Sequence, residues 1–352
     1  MAHRVALRKE DKNDFERRVA LTPGAVRRLV DAGVPIEVER FPRRCFPDAD
    51  YAAAGALLRD DVSDADWVLG IKEMPTKAFR DGGRYVFFSH TMKGQEYNMP
   101  MLAELVRRGC TLVDYECVKD AEGRRLIFFS RHAGTVGMLD SLWTLGQRYR
   151  ALGFETPFAE LEPTHRYDGK EAALAAVDAV AKRVAGEGLP ADLCPLVIGI
   201  TGGGNVAAGA REVFGRLPIE EIAPDDLESW MERNATLRDR IGVVQLDGGD
   251  LVENTTEPGR FEWQHYFDHP ERYRSRTAPW LRNLSLLVHG IYWDDRYPVL
   301  VTRADFAALF EGGATPKLQV IGDITCDVDG SLASTVRDTE PGDLGRSDDG
   351  HL

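Results

Sequence analysis

The apolar run L-V-I-G-I at residues 196–200 passes without a spacer into T-G-G-G-N-V-A-A-G-A-R-E-V-F. An uninterrupted apolar run of that length reads as a parallel-sheet strand covered on both faces. Gly202 and Gly204, with Ala207 in the third place, fit G-x-G-x-x-[G/A], and a helix is expected over 206–214. The first glycine permits the tight turn, and the second lets the backbone approach a pyrophosphate. The first N–H groups of the helix and its dipole then hold the phosphates. A tight structural turn is the bland alternative, and the flanking strand and helix favour the nucleotide reading. Gly202, Gly203, Gly204, Asn205 and Val206 are the candidate cofactor turn. An acid about 20 residues further on normally binds the ribose. Glu220, Glu221, Asp225 and Asp226, around a strand expected at 219–223, all qualify. An acid at the true strand end favours NAD over NADP.

The N-terminal part shows a second α/β pattern. Strands are expected at 4–7, 34–39, 67–71, 85–89 and 111–113. Between them lie a helix capped by Thr22 and closed by Gly33, one from Asp48, and an amphipathic helix over 98–108. Two of these strands end in residues that move protons, Lys72 and His90, and neighbouring strands would place both on one rim. A lysine in a partly dry pocket loses proton affinity and a histidine titrates near neutrality, so the two can serve as base and acid. A surface lysine and a satisfied histidine are the plain alternative. Glu116 falls on the same rim, either to tune Lys72 or to face solvent. Arg18 precedes the first helix, where a guanidinium either grips a carboxylate or is merely solvated.

Residues 133–153 read as one long apolar-faced helix whose glycines 134, 137 and 146 permit close packing, and we take it as a bridge between domains. Further strands are expected at 240–245, 284–288 and 318–321, with helices at 171–186 and 304–310. A chain of 352 residues accommodates two domains. The expected fold is α/β: two Rossmann-like doubly wound domains joined by a long helix, with the active site in the cleft between them. The expected division is 1–132 plus about 322–352 for the substrate domain and 133–321 for the dinucleotide domain.

A net charge of −13 argues against nucleic acid or an anionic membrane as a partner. Five cysteines without C-x-x-C spacing fit reduced thiols rather than a disulfide frame or zinc site. No signal-peptide pattern opens the chain and no apolar run is long enough for a membrane span, so a cytoplasmic location is expected. The segment 339–352 is polar, acidic and glycine-rich, without the makings of a core.

Beyond these readings, the chain resembles the lysine–ketoglutarate reductase and saccharopine dehydrogenase (L-lysine-forming) family, distant relatives of alanine dehydrogenase, over nearly its whole length. The resemblance is carried by E-R-R-V-A-L-T-P (16–23), G-I-K-E-M-P (70–75), F-F-S-H-T-M-K-G-Q-E-Y-N-M (87–99), D-Y-E (114–116), A-G-T-V-G-M (133–138), G-G-G-N-V-A-A-G-A (202–210), H-P-E-R-Y (269–273) and G-D-I-T-C-D-V-D-G-S (322–331). It implies reductive coupling of the lysine ε-amine with 2-oxoglutarate to give saccharopine, or the reverse, with NAD or NADP and no metal. Within it, Lys72 and His90 match the acid/base pair, Arg18 and Lys93 match positions that hold substrate carboxylates, and Glu116 matches a charge that tunes the lysine. Arg124 and Arg125 match a cofactor-side basic pair, and Asp323 a residue near the nicotinamide. The partners implied are small molecules, with a monomer or small homo-oligomer. The same machinery on another amine and 2-oxo acid, or a nucleotide-binding protein without catalysis, are the other readings. Ser130 stands where the family usually has Gly, and His132 occupies an aromatic position. After Ser331 the family's closing segment is altered or missing.

Overall fold

The computed structural model describes residues 3–339 apart from Lys93, Gln95, Ala314 and Asp338. Lys93 and the acidic tail beyond 339 therefore lie outside the described residues. The chain divides into two compact units, the first ending at Phe128 and the second starting at Phe129.

In the first unit, six parallel strands form one sheet: β1 (Val5–Leu7), β2 (Ile36–Glu39), β3 (Leu57–Arg59), β4 (Trp67–Leu69), β5 (Arg84–Phe87) and β6 (Thr111–Asp114). Their spatial order is β3-β2-β1-β4-β5-β6. Successive side chains of a strand face opposite sides, and Ala6 and Leu7 accordingly enter two different cores. Ala6 joins Val68, Tyr85, Phe87, Met101 and Leu105, whereas Leu7 joins Val26, Ile36, Val38 and Tyr51. Fully burying each large apolar side chain contributes about 1.5–3 kcal/mol, and this two-sided burial is what holds such short strands. Helices α1 (Pro23–Asp31), α2 (Asp48–Ala53) and α3 (Met99–Arg107) supply the covering residues. The Thr22 hydroxyl caps α1, accepting the Ala25 N–H at 3.2 Å, and Gly33 beyond its end takes φ +84°, both as the sequence pattern required. The winding reverses between β1 and β4, and at such a switch point the loops leave toward opposite faces and open a crevice at the carboxyl ends.

The second unit begins with α4 (Ser130–Ala151) and α5 (Lys170–Glu187). Five parallel strands follow, β7 (Val197–Thr201), β8 (Ile219–Ile222), β9 (Ile241–Leu246), β12 (Leu286–His289) and β13 (Val320–Asp323), in the order β13-β12-β7-β9-β8. Strands β10 (Val252–Asn254) and β11 (Tyr273–Ser275) make a separate antiparallel pair. Helices α6 (Asn205–Phe214), α7 (Leu227–Arg233), α8 (Trp263–Asp268), α9 (Ala278–Leu281) and α10 (Arg303–Leu309) complete it. Among the described residues, no helix is long and apolar enough to cross a membrane. The long helix expected at 133–153 is present as α4, and it packs into this unit. A Cβ at Gly134 would overlap the Val206 carbonyl and one at Gly209 the Arg131 carbonyl, so α4 and α6 cross backbone to backbone. Leu142 and Leu145 of α4, Ile198 and Ile200 of β7 and Phe214 of α6 share one core.

Two differences from the sequence expectation concern the division of the chain. The boundary falls at 128/129 rather than 132/133. Residues 322–337 stay with the second unit instead of returning to the first. Asp323 is in register with His289, the Ile324 N–H donates to the His289 carbonyl at 2.8 Å, and Leu332 bridges to Val301.

Candidate active site

Lys72 and His90 follow β4 and β5, which pair in parallel with Leu69 opposite Val86. Equal strand ends carry both side chains to the same rim, and Lys72 Nζ lies 3.4 Å from His90 Nε2. Burial is the larger influence on each. It pushes the Lys72 ammonium to lower proton affinity, with the Arg18 charge adding to it. It does the same to His90, with the Lys72 charge second. An amine and an imidazole that are both held toward their neutral forms, within hydrogen-bond reach, can pass a proton between them.

The surrounding groups fix this pair. His90 takes φ +52°, a conformation rare outside glycine, so its ring direction is imposed by its neighbours. Buried Ser89 donates its hydroxyl to Asp114, its backbone N–H reaches the same carboxylate at 3.2 Å, and the Phe88 ring stacks on the imidazole at 6.1 Å. Glu73 accepts from Lys12 Nζ at 2.8 Å and from Asn98 Nδ2 at 3.3 Å. Although burial works against it, the Lys12 bond holds the Glu73 carboxyl below its ordinary value. Arg18 grips Glu16 with Nε at 2.8 Å and Nη2 at 2.6 Å while half its side chain stays exposed. This sets a fixed cation beside the lysine, suited to a carboxylate. Glu116 pairs with Arg125 at 3.3 Å, and its charge acts on His90, favouring the imidazolium. Arg124 is taken up by Asp120 at 2.7 Å and Glu122 at 3.3 Å. Both arginines expected on the cofactor side thus engage acids of the first unit.

In the second unit, Gly202 has φ +84°, and a Cβ there would come 2.7 Å from Ile291 Cγ2. The next two glycines lead into α6, whose N-cap position, Gly204, has no side chain to cap the first N–H groups and open space where a Cβ would stand. A phosphate needs that open, donor-rich corner, so the residues present fit a nucleotide. The acids proposed from sequence spacing stand elsewhere. Strand β8 is at the outer edge, where Glu220 accepts from Trp230 Nε1 at 2.8 Å and Glu221 pairs with Arg211. The strand beside β7 is β9, and the acid past its carboxyl end is Asp247. Its Oδ2 lies 2.8 Å from where a Gly203 Cβ would be.

Asp323, past β13, accepts from Thr325 Oγ1 at 2.7 Å and from Thr335. Next to it His289 is fully buried, with Nδ1 at 2.8 Å from Thr201 Oγ1 and Nε2 at 2.7 Å from Ser331 Oγ. That histidine ties the strand before the glycine turn to the segment after Asp323. Sequence reasoning missed Glu10, Glu73, Asp247 and His289. Only H-G-I-Y-W after an apolar strand gave a signal for the last of them.

Two parallel α/β sheets of this kind, one ending in Lys72 and His90 and the other in a glycine turn, make the fold of the alanine dehydrogenase type. A solved L-alanine dehydrogenase superposes with a TM-score of 0.56 at 19% identity, covering 96% of this chain and 78% of that one. Residues 6–136 match the family described as alanine dehydrogenase/PNT, N-terminal domain. More particularly, the chain is similar in sequence to proteins named alpha-aminoadipic semialdehyde synthase and saccharopine dehydrogenase. It is 35% identical to alpha-aminoadipic semialdehyde synthase of Bos taurus over 93% of its own length and 36% of that protein's. It is 34% identical to the saccharopine dehydrogenase [NAD(+), L-lysine-forming] of Neurospora crassa over 63% of this chain and 59% of the relative. The chain thus spans about a third of the alpha-aminoadipic semialdehyde synthase it matches.

Proposed function

We propose that this chain is a nicotinamide-nucleotide oxidoreductase that joins the lysine ε-amine to 2-oxoglutarate as saccharopine, or runs the reverse. The observation that carries the reading is the Lys72–His90 pair, 3.4 Å apart at the ends of adjacent parallel strands, in a chain homologous to proteins named for this chemistry. The incoming amine must be neutral to attack the ketone. Lys72, held toward its neutral form, takes a proton from the nitrogen as the carbinolamine forms. His90 passes a proton to the departing hydroxyl and is recharged through Lys72. Arg18, which is held by Glu16 and partly exposed, is proposed for one substrate carboxylate and Lys93 for the second. Glu116 favours the protonated imidazole when the acid is needed. When bound, a reduced nicotinamide would supply the hydride for reduction of the C=N bond. Gly202–Val206 would hold its phosphates, and Asp323 is proposed for the nicotinamide end.

For the cofactor we propose NAD. Asp247 stands past the strand beside β7, where a ribose diol donates to a carboxylate and a 2′-phosphate is repelled. Arg211, a cation suited to that phosphate, is occupied by Glu221 and by Gln245 at 2.6 Å. The test is oxidation of NADH and NADPH with lysine plus 2-oxoglutarate. Turnover with NADH supports the proposal. A folded, nucleotide-binding sample that turns over neither sinks it.

A further inference from the structure

The switch point of the first sheet lies between β1 and β4, where the ladder bond from the Arg8 N–H to the Leu69 carbonyl is 3.0 Å. Beyond it the two loops part, and one carboxylate spans the opening. Glu10, on the loop after β1, accepts the Ile71 N–H at 2.7 Å on one oxygen and the Lys72 N–H at 3.1 Å on the other. It is only 4% exposed. A buried carboxylate is tolerated where donors surround it, and here both oxygens are taken by the backbone that bears the lysine. We propose that Glu10 is the positioning residue for Lys72: it fixes the backbone on which the amine is mounted, across the switch point, by spending its carboxylate on main-chain N–H groups. This rests on the catalytic reading of Lys72 given above.

Three observations converge on that role. The segment that receives the carboxylate is shaped for it, because a Cβ at Gly70 would come 3.2 Å from Glu10 Oε1 and 2.9 Å from Met74 Cε. The hold joins residues 61 and 62 positions apart in the chain, at the one place where neighbouring loops diverge. And a carboxylate paired directly with the amine would raise its proton affinity. With both Glu10 oxygens engaged elsewhere, burial and the Arg18 charge govern Lys72 and keep it low. Burial likewise raises the Glu10 carboxyl itself, against the pull of the two N–H bonds and the Arg8 charge. The arrangement reconciles two demands that usually conflict, a rigidly placed amine and one that readily gives up its proton.

The test uses the full chain with Glu10→Gln, which turns one acceptor into a donor facing an N–H, and Gly70→Ala, which pushes on the carboxylate from the other side. Three quantities are read: NADH affinity by fluorescence, hydrogen exchange of the Ile71 and Lys72 amides, and kcat and KM for lysine. The expected result for Glu10→Gln is unchanged NADH affinity, lower protection at the amide left facing the new NH2 group, and a kcat lower by on the order of 10²-fold with KM moving far less, as for a catalytic group displaced by about an ångström. Gly70→Ala should reproduce the kcat loss with Glu10 in place, and it carries the test if Glu10→Gln does not fold. A kcat within about threefold of the parent overturns the proposal. So does a uniform loss of protection across the whole first unit, which marks a carboxylate that is merely structural. If the parent protein turns over no lysine, the substrate reading fails by itself, and undiminished protection at Ile71 and Lys72 in Glu10→Gln still overturns this one.

Discussion

Replacing Lys72 by Met removes the amine and leaves a side chain of similar length in a half-buried place. The backbone bond from Lys72 to Glu10 survives, since it comes from the main-chain N–H. The cost should therefore fall on chemistry rather than on folding. One positioned acid–base group contributes about 10²- to 10⁴-fold, or about 2.7–5.5 kcal/mol at 1.36 kcal/mol per tenfold. We expect kcat to drop by that much and NADH affinity to stay put. A second effect follows from the 3.4 Å separation. The Lys72 charge is, after burial, the main influence lowering the proton affinity of His90. Its removal must raise the midpoint at which His90 gains a proton. The assays are steady-state kinetics across pH, NADH titration, and an NMR titration of the His90 ring proton in parent and variant. A kcat within tenfold of the parent refutes the assignment. A His90 midpoint that stays or falls refutes the coupling.

Three further outcomes are expected. His289 is pushed down to about 4 by burial, so the folded chain holds it neutral while the unfolded chain binds a proton below about 6.5. That stabilisation is complete above about pH 6.5, fades as pH falls toward about 4, and amounts to roughly 3 kcal/mol at 1.36 kcal/mol per pH unit. Urea unfolding at pH 7 and 4.5 should show the loss in the parent and a smaller one in His289→Asn; equal losses count against it. Gly134→Val drives a side chain into the Val206 carbonyl and should destabilise the second unit by more than about 3 kcal/mol, the range of severe overpacking, read as a thermal shift. Asp247→Ser should improve NADPH affinity relative to NADH by about tenfold, near 1.4 kcal/mol; an unchanged ratio means another acid reads the ribose.

Much of the architecture was legible because buried parallel strands advertise themselves. Residues 196–200 are apolar throughout and 284–288 are apolar but for Ser285, and Thr22, Pro23 and Gly33 punctuate α1 by local rules. The strand β3 escaped notice, being three residues of which Leu57 is largely exposed. So did β10 and β11, whose V-E-N and Y-R-S have polar faces. Lys72 and His90 could be singled out because each closes an apolar run. Asp247 could not, since a spacing rule looks to the next strand in sequence and the sheet places a later one beside β7. Nor could Glu10, which sits among R-K-E-D-K like any solvated charge. Its burial is decided by a partner 61 residues away.

The displaced position of β8 bears on how the nucleotide half is assembled during synthesis. A nascent chain that has emerged as far as Ile222 holds the glycine turn, its helix and an edge strand, yet the slot between β7 and β8 is vacant until Ile241–Leu246 arrives to fill it. Closing it demands a pairing across more than forty residues, the kind of non-local step that slows folding. The phosphate corner thus gains one wall only with the late intercalation of β9, and that strand brings Asp247 with it.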